Sequence, residues 1–149
     1  MKYAAYGMNT NLHSMSGRCP GARCLGPALL PDYRFRFAHH ADVVPEVGGQ
    51  VHVVLWEITR SDLASLDRLE GWPVYYDRDW VPVIWQGQTI PALTYYMQPG
   101  APDGPPGQSY WDMLTEGYTE HGIPADQLYQ ALTHSQSASS HNANWSAVI

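Results

Sequence analysis

The chain is poor in cysteine, in charge and in long apolar runs, and each shortage removes a class of function. Its two cysteines, Cys19 and Cys24, stand in "RCPGARC" with a four-residue spacer. That is not a Cys-x-x-Cys pair, and no second pair exists to complete a zinc site. They read as two reduced, partly buried thiols, with a short disulfide loop as the alternative. Charged residues make up 15% of the chain, and the formal net charge is −6. An acidic chain has no electrostatic footprint for a phosphate backbone, so no nucleic acid partner is expected. No apolar run reaches the ~20 residues of a membrane helix. The opening "MKYAAYGMN" has no apolar stretch of the secretory kind. The expectation is a cytoplasmic protein without a membrane partner. Metal-ligand spacing is missing as well. There are seven histidines, but His39 and His40 are adjacent and would point to opposite faces of a strand. No His-x-x-x-His pair occurs. Neither a metal nor a cofactor is expected.

What is present suits a single globular domain. The 149 residues are 44% hydrophobic, enough for one core. Lys2 to Tyr6 reads as a short strand ending at Gly7. Asn9 or Asn11 can cap one or two helical turns up to Gly17. Pro20, Gly21, Gly26, Pro27 and Pro31 predict an interrupted segment, and "YRFRFA", Tyr33 to Ala38, alternates like a half-buried strand. Gly48-Gly49 reads as a turn. Val51 to Thr59 is apolar on both faces, as in a covered central strand. Thr59 or Ser61 can cap a helix with a Leu63, Leu66, Leu69 stripe. Asp77 to Trp85 and Thr89 to Met97 form a hairpin, with Pro82 demanding an edge or a bulge. Pro99 to Gly107 is a Pro/Gly loop. Ser109 is the expected cap of a helix to about His121, and Asp126 of a last short helix to about Thr133. Residues 134–149 read as a polar, flexible tail following a domain of residues 1–133. Strands first and helices last predict an α+β domain.

Two stretches invite chemistry. In "SLDRLEGWPVYYDRDW", Ser65 to Trp80, the helix before Gly71 ends on Glu70. The end of a helix prefers a cation, so a carboxylate there is badly placed for stability. Walls of Trp72 and Tyr76 would desolvate it and raise its pKa, as a proton shuttle requires. In "YAAYGMN", Tyr3 to Asn9, a strand ends on Gly7 and turns at once, exposing successive backbone N–H groups that can hold a carboxylate or an oxyanion. Glu57, in an apolar strand, is the second choice for a working carboxylate and would need an arginine partner such as Arg34, Arg36 or Arg78. Asp42 and Asp67 read as solvated or capping, Arg18 as half of a structural ion pair, and the tryptophans as core.

The order of these features resembles the gamma-glutamylcyclotransferase family. Its Tyr-Gly-Ser-Asn loop reads Tyr6-Gly7-Met8-Asn9 here. Its Leu-Asp-x-x-Glu-Gly segment reads Leu66-Asp67-Arg68-Leu69-Glu70-Gly71. "SYWDMLTEGYTEHGIPADQLYQAL" resembles its closing helices, so the resemblance covers about residues 1–133. It implies a small mixed β-barrel with peripheral helices. It also implies a reaction, in which the α-amino nitrogen of a small γ-glutamyl substrate closes on its own γ-carbonyl and releases 5-oxoproline. Glu70 would then be the general base and acid. Tyr6, Gly7, Met8 and Asn9 would bind substrate with Tyr76, Tyr95 and Tyr110, and Tyr75 is the alternative to Tyr76. Met8 departs from the family's serine and opens another reading, a binding or interaction module with the same fold. Asn9 favours the dipeptide-acting branch over the amine-acting group, whose loop usually reads Tyr-Gly-Thr-Leu. Oligomeric state is not legible.

Overall fold

The computed structural model describes the backbone of residues 1–148 and the side chains of residues 1–137. Its strands are β1 (Lys2–Ala5), β2 (Arg23–Ala38), β3 (His40–Glu57), β4 (Tyr76–Trp85) and β5 (Gln88–Met97). They close into a barrel in the order β1-β3-β2-β4-β5. Neighbours are antiparallel except β1 and β5, which meet in parallel at Tyr3 and Leu93 and shut the barrel. A single 3-10 turn (Met8–Thr10) follows β1. The helices are α1 (Leu12–Arg18), α2 (Arg60–Glu70), α3 (Gln108–Glu120) and α4 (Asp126–Val148). The class is α+β, a small mixed β-barrel with peripheral helices, as expected.

Several local expectations are corrected. β2 runs straight through Gly26, Pro27 and Pro31 in one long hairpin with β3. The awkward residues are absorbed as register shifts between Cys24 and Gly26 and between Pro31 and Tyr33. Gly48-Gly49 belongs to the second shift and is not a turn between strands. There, residues 46–49 face the single Asp32, whose carboxylate accepts from the Gly48 amide at 3.0 Å. Pro82 faces Pro91 across β4 and β5. Neither can donate, so they form a non-hydrogen-bonded pair. β4 meets β2 only around Leu29 and Ile84, which leaves Pro82 outside that ladder.

The helix ends follow capping chemistry. Asn11 caps α1 by accepting from Ser14 N at 3.1 Å. Thr59 caps α2: its hydroxyl accepts from Asp62 N at 3.1 Å, while the Asp62 carboxylate accepts from Thr59 N at 3.0 Å. Ser109 is not the cap of α3. Gly107 holds that position without a side-chain bond. Asp126 lies inside the first turn of α4. This helix does not stop at Thr133. No glycine or proline follows Pro124, so nothing breaks it before Val148, and it takes up the predicted tail. Ile149 lies outside the described residues.

Val51, Val53, Val54 and Leu55 are fully buried, as a strand covered on both faces should be. α4 docks on this strand through Gln127. Its amide accepts from His52 N at 2.7 Å and donates to His52 O at 3.0 Å, much as a neighbouring strand would. α3 crosses the 3-10 turn at Gly117. A Cβ there would collide with Thr10 Oγ1 and lie 2.9 Å from Asn11 N. Thr10 is tied to Gly7 O and Asn11 caps α1, so neither can retreat freely. Gly117→Ala should therefore lower stability by roughly 1–3 kcal/mol, read from urea unfolding midpoints at unchanged slope. Gly17→Ala, in α1 with open space around it, should raise stability by about 0.5–1 kcal/mol. Equal effects at the two positions would contradict this packing.

Candidate active site

β1 ends at Ala5 and the chain turns directly into the 3-10 turn. The Thr10 and Asn11 amides bond back to Gly7 O and Met8 O, both at 3.0 Å. The amides of Gly7, Met8 and Asn9 donate to no acceptor among the described residues. These are the donors that the first turn of any helix leaves over. Gly7 is needed for close approach. A Cβ would stand 3.1 Å from Ala41 Cβ and 3.2 Å from Tyr110 Oη.

On the other side of the site, α2 ends at Glu70. Gly71 takes the left-handed conformation (φ 65°) that closes the helix, with its amide returning to Arg68 O. Glu70 thus leaves the helix at a fixed point. Burial pushes its carboxyl up to about 7, against the opposing pull of Arg18. Among the described residues it has neither a hydrogen-bond donor nor an ion-pair partner. The other acids of interest are all engaged. Arg78 Nη1 donates to both oxygens of Asp67 at 2.8 Å, and Tyr95 Oη donates to it at 2.7 Å. Asp42 is buried and accepts from Arg36 Nε and Met97 N, both at 2.8 Å. Asp42 and Asp67 are therefore structural ion pairs, not solvated or capping groups. Glu57 is not buried. Its carboxylate bonds the Met1 ammonium at 2.7 Å, with Lys2 at 3.5 Å, away from the cavity. The bond to the N-terminus holds its carboxyl below the ordinary value.

Tyrosine hydroxyls separate into used and unused donors. Tyr6 donates to Tyr95 O at 2.6 Å and Tyr76 donates to Ala41 O at 2.9 Å. Tyr95 donates to Asp67, as above. Tyr110 instead accepts from Ala41 N at 3.0 Å, and Tyr3 accepts from Asn9 Nδ2 at 3.0 Å. Those two hydroxyls keep their own protons uncommitted. Burial pushes the Tyr110 phenol up to about 12, with the Ala41 amide opposing and Glu70 adding to the rise. Burial, with Glu70 next, raises Tyr3 well above its ordinary value. Both stay neutral donors at any ordinary pH.

Tyr6, Gly7, Met8, Asn9, Glu70, Tyr76, Tyr95 and Tyr110 all line one cavity of about 370 Å³. Tyr75 does not, being 73% exposed where the chain enters β4. Trp72, expected beside Glu70, turns outward with the Arg78 guanidinium 4.0 Å from its ring centroid. Sequence reasoning missed Tyr3, Arg18, His40 and Leu69, which also line the cavity. Arg18 is in no ion pair among the described residues; its Nη1 donates to Asn9 Oδ1 at 2.7 Å. One signal could have revealed this: residues 1–31 contain no Asp or Glu to pair with it. Leu69, expected in the buried stripe of α2, is 46% exposed. A second depression, of about 460 Å³, is lined by Arg34, Glu46, Gln50 and Gln127, where arginine and glutamate already pair at 3.5 Å. His134 also lines it, with its Nε2 3.1 Å from Asp103 Oδ2, so among the described residues its charged groups already have partners.

Comparison with known proteins identifies the family of the chain. The model of the family "Gamma-glutamyl cyclotransferase, AIG2-like" matches residues 3–113. The chain is 26% identical over 138 residues to the gamma-glutamylcyclotransferase of Bos taurus, covering 83% of this chain and 73% of that one. It is 28% identical over 142 residues to the gamma-glutamylcyclotransferase of Mus musculus, covering 86% and 74%. Among solved structures, a gamma-glutamyl cyclotransferase superposes with a TM-score of 0.79 at 26% identity, over 88% of this chain and 85% of that one.

The raised carboxyl of Glu70 makes stability depend on pH. Between the ordinary value of 4.5 and about 7, the folded state holds a proton that the unfolded state has lost. Folding therefore weakens as pH rises through this window and levels off above it. The full penalty is on the order of 3 kcal/mol. Glu70→Gln, which carries no such proton, should gain stability relative to the wild type between pH 4.5 and 7.5 in urea unfolding. A difference that stays flat with pH would show that the carboxyl is not raised.

Proposed function

The chain belongs to the gamma-glutamyl cyclotransferase, AIG2-like family, and from that premise we propose that it cyclises a small γ-glutamyl compound. The products are 5-oxoproline and a free amino acid or amine. The observation that carries this reading is the unpaired Glu70 carboxyl, held near neutrality in the cavity. A peptide-type α-ammonium has a pKa of roughly 8. Glu70, as carboxylate, takes one proton from it. The freed nitrogen attacks the γ-carbonyl carbon, a C–N bond forms, and the carbonyl oxygen becomes an oxyanion. Glu70 then gives its proton to the departing nitrogen as the carbonyl re-forms and the original γ-amide bond breaks. It also takes up the second proton that the ring nitrogen must lose to become the neutral lactam, and passes it on to the released amine or to solvent. Acid and base with such close pKa values exchange a proton cheaply in both directions.

The other groups fit the same steps. Unused amides at Gly7, Met8 and Asn9, with the free hydroxyl protons of Tyr3 and Tyr110, are suited to the oxyanion or to the substrate's carboxylate. A half-enclosed pocket that folds the chain supplies orientation, the main obstacle to ring closure. Met8 in place of the family's serine leaves the backbone amide available and changes only the side chain. The chemistry thus survives the departure, while the thioether reshapes the space beyond the γ-glutamyl group. A pure binding module, the alternative that Met8 opens, would have no use for a destabilising carboxylate. Asn9 favours dipeptide substrates over amines. The proposal keeps the cytoplasmic setting expected from the sequence.

The test is 5-oxoproline release, followed by mass spectrometry, from a panel of γ-glutamyl dipeptides and amines. Wild-type kcat/KM should rise with pH through about 7 as Glu70 ionises. Glu70→Gln should lower kcat by about 10²–10⁴-fold. Undiminished release by this variant would remove Glu70 as the base. No release by folded wild type would favour the binding module.

A further inference from the structure

Arg18 is the only arginine or lysine among the residues lining the cavity. Other arginines in the interior are neutralised: Arg36 by Asp42 and Asp103, Arg78 by Asp67. Arg18 has no acidic partner among the described residues. One nitrogen is fixed by Asn9 Oδ1 at 2.7 Å, which leaves most of the guanidinium's five N–H donors for something else. Glu70 is close enough to feel its charge but does not pair with it. The cavity therefore holds an unpaired carboxyl and an unpaired guanidinium that feel each other's charge, with the His40 imidazole also on its wall. An α-amino-acid head is the matching ligand, with an ammonium and a carboxylate on a single carbon. A half-buried guanidinium is also well suited to hold a carboxylate by two parallel hydrogen bonds.

We infer that Arg18 binds the α-carboxylate of the γ-glutamyl group while Glu70 faces its α-ammonium. This rests on the proposed reaction and deepens it. The loop amides at Gly7, Met8 and Asn9 are then free for the γ-carbonyl oxygen. Asn9 becomes a positioning residue, holding the guanidinium in place. Substrates must carry a free α-carboxylate, whatever amine they release.

Two measurements on wild type, Arg18→Gln and Arg18→Lys test this, after thermal unfolding confirms that each variant is folded. The first compares cyclisation of a γ-glutamyl dipeptide with that of its α-carboxamide. The second compares calorimetric binding of L-glutamate and 4-aminobutyrate, which differ only by the α-carboxylate. Arg18→Gln should lower kcat/KM for the α-carboxylate substrate by about 10²-fold, mainly through KM. It should leave the α-carboxamide unchanged and abolish the preference for glutamate. Arg18→Lys should recover part of both, since the charge returns without the fork. Equal losses on both substrates, or a glutamate preference that survives in Arg18→Gln, would overturn the inference. The two proposals can fail separately. Glutamate held through Arg18 by a protein that releases no 5-oxoproline upholds this one and removes the reaction. Release with carboxylate preference intact in Arg18→Gln does the reverse.

Discussion

A carboxylate in a protein interior needs water, a donor or a cation, and Glu70 is denied all but a glancing share of each. Much of the surrounding structure can be understood as keeping it that way. Three of the five tyrosine hydroxyls around the cavity are occupied elsewhere, Tyr6 on Tyr95 O, Tyr76 on Ala41 O and Tyr95 on Asp67, and the uncommitted protons of Tyr3 and Tyr110 do not reach Glu70. The nearby arginine that could have neutralised it is fixed on Asn9. What remains is a half-enclosed acid with a carboxyl near neutrality because solvent is scarce around it. Such a group weakens the fold, so its neighbours must be well paired for the domain to tolerate it.

They are. The Ala41 backbone serves two tyrosines, donating to Tyr110 and accepting from Tyr76. Tyr118 donates to Tyr6 O, and Tyr6 in turn to Tyr95 O, so α3, the end of β1 and β5 are joined by phenolic bonds across the core. His121 Nε2 lies 2.7 Å from Thr10 O, holding the far end of the 3-10 turn. As a carbonyl cannot donate, that nitrogen carries the proton. Glycine at positions 7 and 117 lets the turn press against Ala41, Tyr110 and α3 without a side chain in between. The result is a loop with three unused amides held rigidly across the cavity from the end of α2.

The α+β class, the hairpin of β4 and β5, and the end of α2 were legible because each depends on local chemistry: alternation, a turn glycine, a cap. So was the gathering of Glu70 with the loop at Tyr6–Asn9. The two motifs resemble a family in which they form one site, and family membership is now supported along residues 3–113. The failures share a cause. Gly26, Pro27 and Pro31 look like breakers, yet a long hairpin partner overrides them by shifting register. Asp42 and Asp67 look like surface acids, because their partners Arg36 and Arg78 lie on strands whose register the sequence does not reveal. Arg18 looked like a salt bridge, since pairing is the usual fate of a half-buried arginine. Only the absence of acids in the first 31 residues hinted otherwise.

The proposed chemistry depends on one property of one side chain. Carbon-13 NMR of the glutamate δ-carbons, assigned by comparison with Glu70→Gln, reads that property without reference to any substrate. A midpoint for Glu70 near 7, well separated from the other glutamates, is the result this account predicts. A midpoint near the ordinary 4.5 would mean that Glu70 is solvated or paired in solution, and the argument for its role as a proton shuttle would fail with it.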